Sequence, residues 1–386
     1  MKKQTNKLNL IYIFSFLGDA LFSPFLALYY SSLGIEETKK GILLALIPLS
    51  SLIGSLFYGK LSKNAKRNLL IIRVLVLFQL IAMMLMGLFE NYYLIMIFTL
   101  IFAVHNSTFF SFQEGICVNI TSKEKRVYAT TRSFGTLGYL IGSLLGGKLI
   151  DLTSFSVVFL IAGLIYVLVE LLFFFIKPYE EDKNENSKIS FKEVFTHKDF
   201  VMYLITYILI LGTWSVEEAY SSIYFKSLGI SASIWGYVYA FQIFIEMVVI
   251  FIINNVFKRK INHRLLLLSS FIIICARTLF LSFDSNLIFK LFFNATLRGA
   301  AWGLFLSSHM EKLKSILSEK LITKAVLILA MSSNIFTTIF NYLSPYVYEN
   351  ISFNVYFFIL FLVQITGLIF YLFHTFRRRK SINNLP

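Results

Sequence analysis

Long apolar segments are the feature of this sequence that most restricts its fold. A helix needs about 20 apolar residues to cross roughly 30 Å of hydrocarbon. The chain is 57% hydrophobic, and its mean hydropathy of +0.72 exceeds that of soluble domains. The sequence therefore predicts an all-α integral membrane protein with twelve transmembrane helices. The predicted spans are residues 8–30, 41–61, 69–89, 93–120, 129–150, 155–176, 200–225, 234–257, 265–283, 287–311, 325–348 and 354–376.

A short tract that occurs twice indicates an internal duplication. Residues 29–35 read YYSSLGI and residues 224–230 read YFKSLGI, 195 positions later, and a glycine follows each tract at the same offset, Gly41 and Gly236. Two helical halves repeated in parallel are typical of secondary transporters that bind their solute between the halves. We expect the halves to superpose through a pseudo-two-fold axis. The predicted domains are an N-terminal six-helix bundle at 1–176, a cytoplasmic linker at 177–199, and a C-terminal six-helix bundle with a basic tail at 200–386.

The net charge of +15 is explained by its distribution among the loops. Basic residues cluster at the amino terminus, at the tail, and in the loops after spans 2, 4, 8 and 10, whereas the opposite loops hold few. By the positive-inside rule both termini are cytoplasmic, in an inner or plasma membrane. A nucleic-acid partner is not needed to explain the charge. The expected partners are a small-molecule substrate, protons and the lipid bilayer, and we expect a monomer.

Charged residues inside the predicted spans are the first candidates for function, because they are costly there and mark water-filled pathways or ion pairs. Five acids and three arginines qualify: Asp19, Glu114, Glu217, Glu218, Glu246, Arg132, Arg277 and Arg298. At least two carboxylates are thus left without an arginine, and an unpaired buried carboxylate takes up a proton. Glu217 and Glu218 lie about 100° apart on a helix, so we expect only one of them to face a given cavity.

Glu114 and Arg132 form the first candidate pair. They flank a short loop between two adjacent spans, which brings them to a similar depth, roughly two helical turns inside the cytoplasmic surface. They could line the pathway, or form a structural salt bridge that clamps the hairpin. Tyr139 lies two turns beyond Arg132, and Trp302 one turn beyond Arg298, so both are candidates for a substrate-stacking surface. Packing in the core or against lipid is the alternative for both aromatic side chains.

Motifs of soluble enzymes are missing from the sequence. It has no phosphate-binding glycine-rich loop and no nucleophile elbow. We therefore expect neither enzymatic activity nor a cofactor, and ATP-driven transport is disfavoured. The five histidines show no metal-ligand spacing: His105, His197, His263, His309 and His374.

These residues give the whole chain a resemblance to the major facilitator superfamily, within its lactose-permease-like and phenylpropionate-permease-like branch. Glu114 and Arg132 are 18 positions apart, like a sugar-binding pair in helices 4 and 5 of the lactose permease. The tract RSFGTLGY at 132–139 is similar to that family's helix 5, which implies a stacking role for Tyr139. Arg277 matches an arginine in helix 9, the tract SPYVYENISF at 344–353 resembles the end of helix 11, and Glu246 resembles a helix 8 glutamate of the phenylpropionate-permease-like proteins.

Three departures from that pattern bear on coupling and direction. The lactose permease has a histidine and a glutamate in helix 10 where this chain has Arg298 and Ala301. Lys63 stands where the superfamily's loop between helices 2 and 3 normally carries an aspartate. The helix 5 stretch from Gly142 to Gly147 lacks the proline of drug antiporters, which disfavours export.

The predicted function is therefore a secondary active transporter, a proton symporter that moves a small polar solute by alternating access. A sugar or glycoside is the favoured solute, because a carboxylate beside an arginine can satisfy hydroxyl groups. The alternatives are a small organic anion such as an aromatic acid, a drug exporter, and a sensor that does not transport. The expected substrate-binding residues are Glu114, Arg132, Tyr139, Arg277, Arg298 and Trp302. For proton coupling we expect Glu246 first, Asp19 second, and also Glu218, with Arg298 as a movable counter-charge.

Overall fold

The computed structural model describes residues 4–62, 64–177, 179, 191–257 and 261–383. This part of the chain is helical and contains no strand, which confirms the all-α prediction. A short helix, Phe191–Phe195, precedes the long helix Lys198–Ser227. The twelve long helices are α1 (Gln4–Ser32), α2 (Glu37–Leu61), α3 (Ala65–Met86), α4 (Tyr92–Lys123), α5 (Tyr128–Leu152), α6 (Phe155–Phe173), α7 (Lys198–Ser227), α8 (Ala232–Val256), α9 (His263–Leu281), α10 (Leu287–Lys314), α11 (Glu319–Asn350) and α12 (Phe353–Asn383).

Ten of the helices in the described residues are long and apolar enough to cross a membrane. The other two long helices, α5 and α10, occupy the predicted spans 129–150 and 287–311. Glycines and serines lower the hydropathy of α5, while Lys290, Asn294 and Arg298 lower that of α10. The chain is a multi-pass membrane protein, and Lys63 and most of the predicted linker lie outside the described residues.

The chain divides into two compact units. The first contains α1 to α6 together with Ser222–Ala240, which is the end of α7 and the start of α8. The second contains the remainder of α7 and α8 together with α9 to α12. The domain boundaries expected from the sequence, and the superposition of the two halves, stay predictions.

Both copies of the repeated tract end a helix in the same way. Gly34 and Gly229 adopt positive φ values of +66° and +84°, the left-handed conformation that glycine allows at a helix end. The hydroxyl of Ser32 donates to the carbonyl of Tyr29 at 2.7 Å. At the same offset, Ser227 donates to the carbonyl of Tyr224, also at 2.7 Å. The repeated tract therefore forms the same helix C-terminus at both places in the chain.

A row of glycines brings α5 into backbone contact with α1. A Cβ atom added at Gly138 would lie 2.2 Å from the carbonyl oxygen of Ile13, and one at Gly142 would lie 2.6 Å from that of Leu17. Side chains are absent at these positions because the two helices approach too closely to hold one. This contact fixes the depth of α1 relative to the candidate residues on α5.

The side chain of Glu124, the residue that follows α4, caps the first residues of α1. Glu124 accepts hydrogen bonds from the backbone N–H groups of Gln4 and Thr5, at 2.7 and 3.2 Å, and from the Thr5 hydroxyl at 2.5 Å. Burial by itself would raise the pKa of Glu124, but the hydrogen bonds from Thr5, Gln4 and Tyr179 outweigh it and lower the pKa. Glu124 thus satisfies N–H groups that have no partner within the helix.

Substituting Gly138 by alanine should destabilise the protein by about 1–3 kcal/mol, because the added methyl group overlaps a backbone oxygen that cannot move freely. Gly115 in α4 is the matched control, since a Cβ there meets nothing within 4 Å. Thermal unfolding of the purified proteins measures the melting temperature of each variant. Equal melting temperatures for Gly138→Ala and Gly115→Ala would contradict the close packing.

Replacing Glu124 by glutamine should lower thermal stability at neutral pH. Because the folded state lowers this pKa, the carboxylate stabilises the fold fully above the ordinary glutamate pKa and loses that effect as the pH falls through the folded value. The difference in melting temperature between wild type and Glu124→Gln should therefore shrink in acid. A difference that grows as the pH falls would show that the hydrogen bonds do not favour the ionised carboxylate.

Candidate functional site

A cluster of charged side chains occupies the interior of the second unit. Glu218 of α7 bridges two arginines: its Oε1 lies 2.6 Å from Nη2 of Arg277 on α9, and its Oε2 lies 3.2 Å from Nε of Arg298 on α10. The Nη1 atom of Arg298 is 3.5 Å from Oε2 of Glu246 on α8. Four residues predicted from the sequence are thus brought together, with Arg298 between two carboxylates.

Arg277 is the most buried arginine of the charged cluster, with only 1% of its surface exposed. Its Nε donates to Oδ1 of Asn294 at 2.8 Å, and its Nη1 lies 3.3 Å from Oε1 of Glu217. Glu217 is fully buried, and its Oε2 lies 2.6 Å from the Thr278 hydroxyl. Charged groups of α7 and α9 therefore meet away from solvent.

Glu217 and Glu218 both contact Arg277, although they differ in exposure, at 0% and 24% of their side chains. The expectation that only one of them faces a given cavity stays a prediction. The guanidinium group carries donors along several edges and can bridge side chains that leave a helix about 100° apart. The cluster therefore holds three carboxylates and two guanidinium groups. It carries one net negative charge when all five groups are ionised.

Aromatic rings border the charged cluster. The ring of Trp214 lies 5.9 Å from the Arg277 guanidinium and packs edge-on against Trp302, with centroids 5.2 Å apart. Trp302 in turn stacks on Phe305 at 5.2 Å. Sequence reasoning selected Trp302 but missed Trp214, although its position three and four residues before the two glutamates of α7 places it on the same helix face.

The first unit contains the predicted pair of Glu114 and Arg132. The Nε atom of Arg132 lies 3.3 Å from Oε1 of Glu114, and the side chains of Arg132 and Glu114 are 35% and 47% exposed, respectively. The guanidinium of Arg132 lies 4.5 Å above the ring of Phe16, a cation–π contact. Phe16 also contacts Tyr139, with centroids 6.4 Å apart. Phe16 therefore links the pair to the predicted stacking residue, and no sequence signal distinguished it from the other phenylalanines.

Asp19 lies in a separate polar chain of the first unit. It is 7% exposed and accepts hydrogen bonds from Ser23 at 2.7 Å and from Asn106 at 3.2 Å. Asn106 in turn accepts one from Gln79 at 2.8 Å. Within the described ranges, no lysine or arginine forms an ion pair with Asp19. This carboxylate is therefore held by neutral groups.

Comparison with known proteins agrees with this architecture. The model of the MFS_1 like family matches residues 5–359. A probable 3-phenylpropionic acid transporter of Escherichia coli K12 is 23% identical over 69% of this chain and 72% of its own length. A multidrug resistance protein of Proteus mirabilis is 28% identical over 56% of each chain.

Among solved structures, a mutant of the nucleoside transporter NupG aligns with a TM-score of 0.82, at 11% identity over 95% of this chain and 98% of its own. At that identity the likeness shows the fold alone. These relatives are transporters, not enzymes. The chain is thus a membrane transport protein that belongs to the MFS_1-like family of the major facilitator superfamily.

Proposed function

We propose that the chain is a proton symporter that moves a small polar solute across the cell membrane by alternating access. The observation that carries this proposal is the half-exposed pair of Glu114 and Arg132 beside aromatic rings. A carboxylate and a guanidinium at this exposure offer acceptors and donors to a solute without leaving a charge unpaired. A sugar or glycoside suits such a pair best, since adjacent hydroxyl groups can donate to one partner and accept from the other.

Each unit contributes an aromatic surface next to its charged groups. In the first, Tyr139 and Phe16 provide rings on which the apolar face of a sugar can stack. In the second, Arg277, Arg298 and Trp302 are the proposed contacts. Both termini are proposed to be cytoplasmic, and the protein is proposed to act as a monomer.

Proton coupling is proposed to depend on Glu246, Asp19 and Glu218. Glu218 and Glu246 hold Arg298 between them, so a change in the charge of either carboxylate shifts the arginine toward the other. Asp19 is buried among neutral partners, an environment that favours the protonated form of a carboxyl group.

A small organic anion, such as an aromatic acid, is the second candidate solute. The similarity to a probable 3-phenylpropionic acid transporter favours it. The charges oppose it, because Arg277, Arg298 and Arg132 each pair with a glutamate of this chain. An anion would have to displace a carboxylate, whereas a neutral solute would not. A drug exporter and a sensor are the remaining alternatives. Solute uptake by proteoliposomes under an imposed pH gradient separates a transporter from a sensor, and the direction of transport separates a symporter from an exporter.

Replacing Glu114 by glutamine should weaken solute binding roughly 10- to 100-fold, since a hydrogen bond to a charged group contributes about 1.5–3 kcal/mol. A thermal-shift screen of sugars, nucleosides and aromatic acids identifies the solute, and calorimetry then measures its affinity. Glu170→Gln is the matched control, because Glu170 pairs with Arg73 at 2.8 Å in the same unit and has no proposed role in binding. Wild-type affinity in Glu114→Gln would rule out the sugar-binding role.

Replacing Glu246 by glutamine should abolish solute accumulation driven by a pH gradient and leave downhill exchange intact. The physical reason is that Arg298 then loses its ion pair with residue 246 and keeps only the ion pair with Glu218, so it can no longer shift between two carboxylates. Proteoliposomes with an imposed gradient measure both activities, with Glu170→Gln again as the control. If the Glu246→Gln protein still accumulates solute against its concentration gradient, Glu246 takes no part in coupling.

A further inference from the structure

The Thr278 hydroxyl lies between two acceptors at the buried end of the charged cluster. It is 2.6 Å from Oε2 of Glu217 and 3.1 Å from the carbonyl oxygen of Ile274. Both Glu217 and Thr278 are fully buried. A hydroxyl group has one hydrogen, which cannot make a full hydrogen bond to both of these oxygens at once. The position of that hydrogen therefore depends on whether Glu217 itself carries a proton.

The protonated form of Glu217 gives each of the two contacts a hydrogen of its own. If Glu217 is ionised, both oxygens depend on the single hydrogen of Thr278, and the contact to the Ile274 carbonyl is weakened. If Glu217 is protonated, it donates to Thr278, and Thr278 donates to the carbonyl four residues earlier, a common hydrogen bond for threonine in helices. The second arrangement forms a continuous chain from the carboxyl group to the backbone.

Glu217 is the fully buried carboxylate of the cluster, and of the two carboxylates on Arg277 it has the longer contact. The guanidinium makes its short contact with Glu218, at 2.6 Å. Its contact with Glu217 is 3.3 Å long, and neither Nη1 of Arg277 nor Oε1 of Glu217 has an aligned hydrogen bond to any described residue. A fully buried carboxylate with incomplete pairing is costly when ionised.

The other described groups that face Glu217 do not supply a second cation. Glu218 is its neighbour on α7 and carries a like charge. Cys275 on α9 and Tyr356 on α12 lie near enough to interact with it electrostatically. The amide of Gln364 on α12 faces the carboxyl group, without an aligned hydrogen bond.

We infer that Glu217 is the residue that binds the coupled proton, with Thr278 as its hydrogen-bond partner; this inference rests on the proposed proton symport. A proton from the aqueous phase adds to the Glu217 carboxylate and makes the five-group cluster neutral. When the proton returns to water, Thr278 turns its hydrogen from the Ile274 carbonyl to the Glu217 carboxylate. No other bond forms or breaks. In this inference Glu217 takes the place of Glu246, Asp19 and Glu218 as the proton-binding residue, and Glu218 and Glu246 take part in coupling as the ionised partners of the two arginines.

Infrared spectroscopy of the purified protein in lipid at neutral pH tests the assignment without requiring transport. The wild type should show a carbonyl-stretch band of protonated carboxylic acid with a component that Glu217→Gln removes and that Glu246→Gln and Asp19→Asn retain. An unchanged band in Glu217→Gln, or a wild type that lacks the band at every pH at which the protein is folded, overturns the inference.

Thr278 offers a matched pair of variants that retain Glu217. Thr278→Val removes the hydroxyl at nearly constant shape and should shift the band to higher frequency, because the acid loses its acceptor. Thr278→Ser keeps the hydroxyl and should leave the band in place. An unshifted band in Thr278→Val overturns the role of Thr278 as partner.

Transport measurements separate this inference from the proposed function. In proteoliposomes, Glu217→Gln should lose all accumulation driven by a pH gradient and retain downhill exchange. If Glu217→Gln still couples solute to protons, the residue assignment fails while symport stands. If the wild type moves no proton with its solute, symport fails, whatever the infrared spectra show.

Discussion

The packing of α7, α9 and α10 in the second unit depends on one buried guanidinium group, that of Arg277. Arg277 is 1% exposed, and a charge at that burial is tolerated only when its partners surround it. Two glutamates of α7 and Asn294 of α10 meet it, so one side chain of α9 ties three helices together. Removing one partner of a buried pair typically destabilises a protein by about 3–5 kcal/mol. A change in the charge of one residue of this cluster therefore alters the electrostatic environment of the others.

The charged groups of the two units differ in burial, and the difference suits different tasks. The side chains of Glu114 and Arg132 are 47% and 35% exposed, which suits the proposed binding of a solute. Those of Glu217 and Arg277 are 0% and 1% exposed, and the proposed proton is small enough to change the charge there with little movement of the helices. The proposed solute-binding pair and the proposed coupling group therefore differ in their access to solvent.

The positions of the helices and the approximate depth of their charged residues could be predicted from the sequence. Which residues a long side chain contacts could not. Apolar length predicted the helices, and loop geometry predicted that Glu114 and Arg132 meet, because both follow from backbone spacing alone. The sharing of Arg277 by Glu217 and Glu218 depends on where a long side chain ends, which helical phase does not reveal. Phe16 could not be singled out among 42 phenylalanines. Its contact with Arg132 exists because glycines on α5 let α1 approach to backbone distance.

The departure in α10 from the lactose-permease pattern has a structural explanation. At the position that resembles the lactose permease's histidine, Arg298 adds a second guanidinium to the cluster, and its charge is balanced by Glu218 and Glu246. At the position of the glutamate, Ala301 is fully buried, and its carbonyl accepts a hydrogen bond from Ser270 at 2.8 Å, so that site holds α9 against α10. With α10 supplying a cation and a packing contact, the proton-binding group that the proposed symport requires has to come from another helix. Glu217 of α7 is our proposal for that group because it is the fully buried carboxylate of the cluster and has Thr278 as a hydrogen-bond partner.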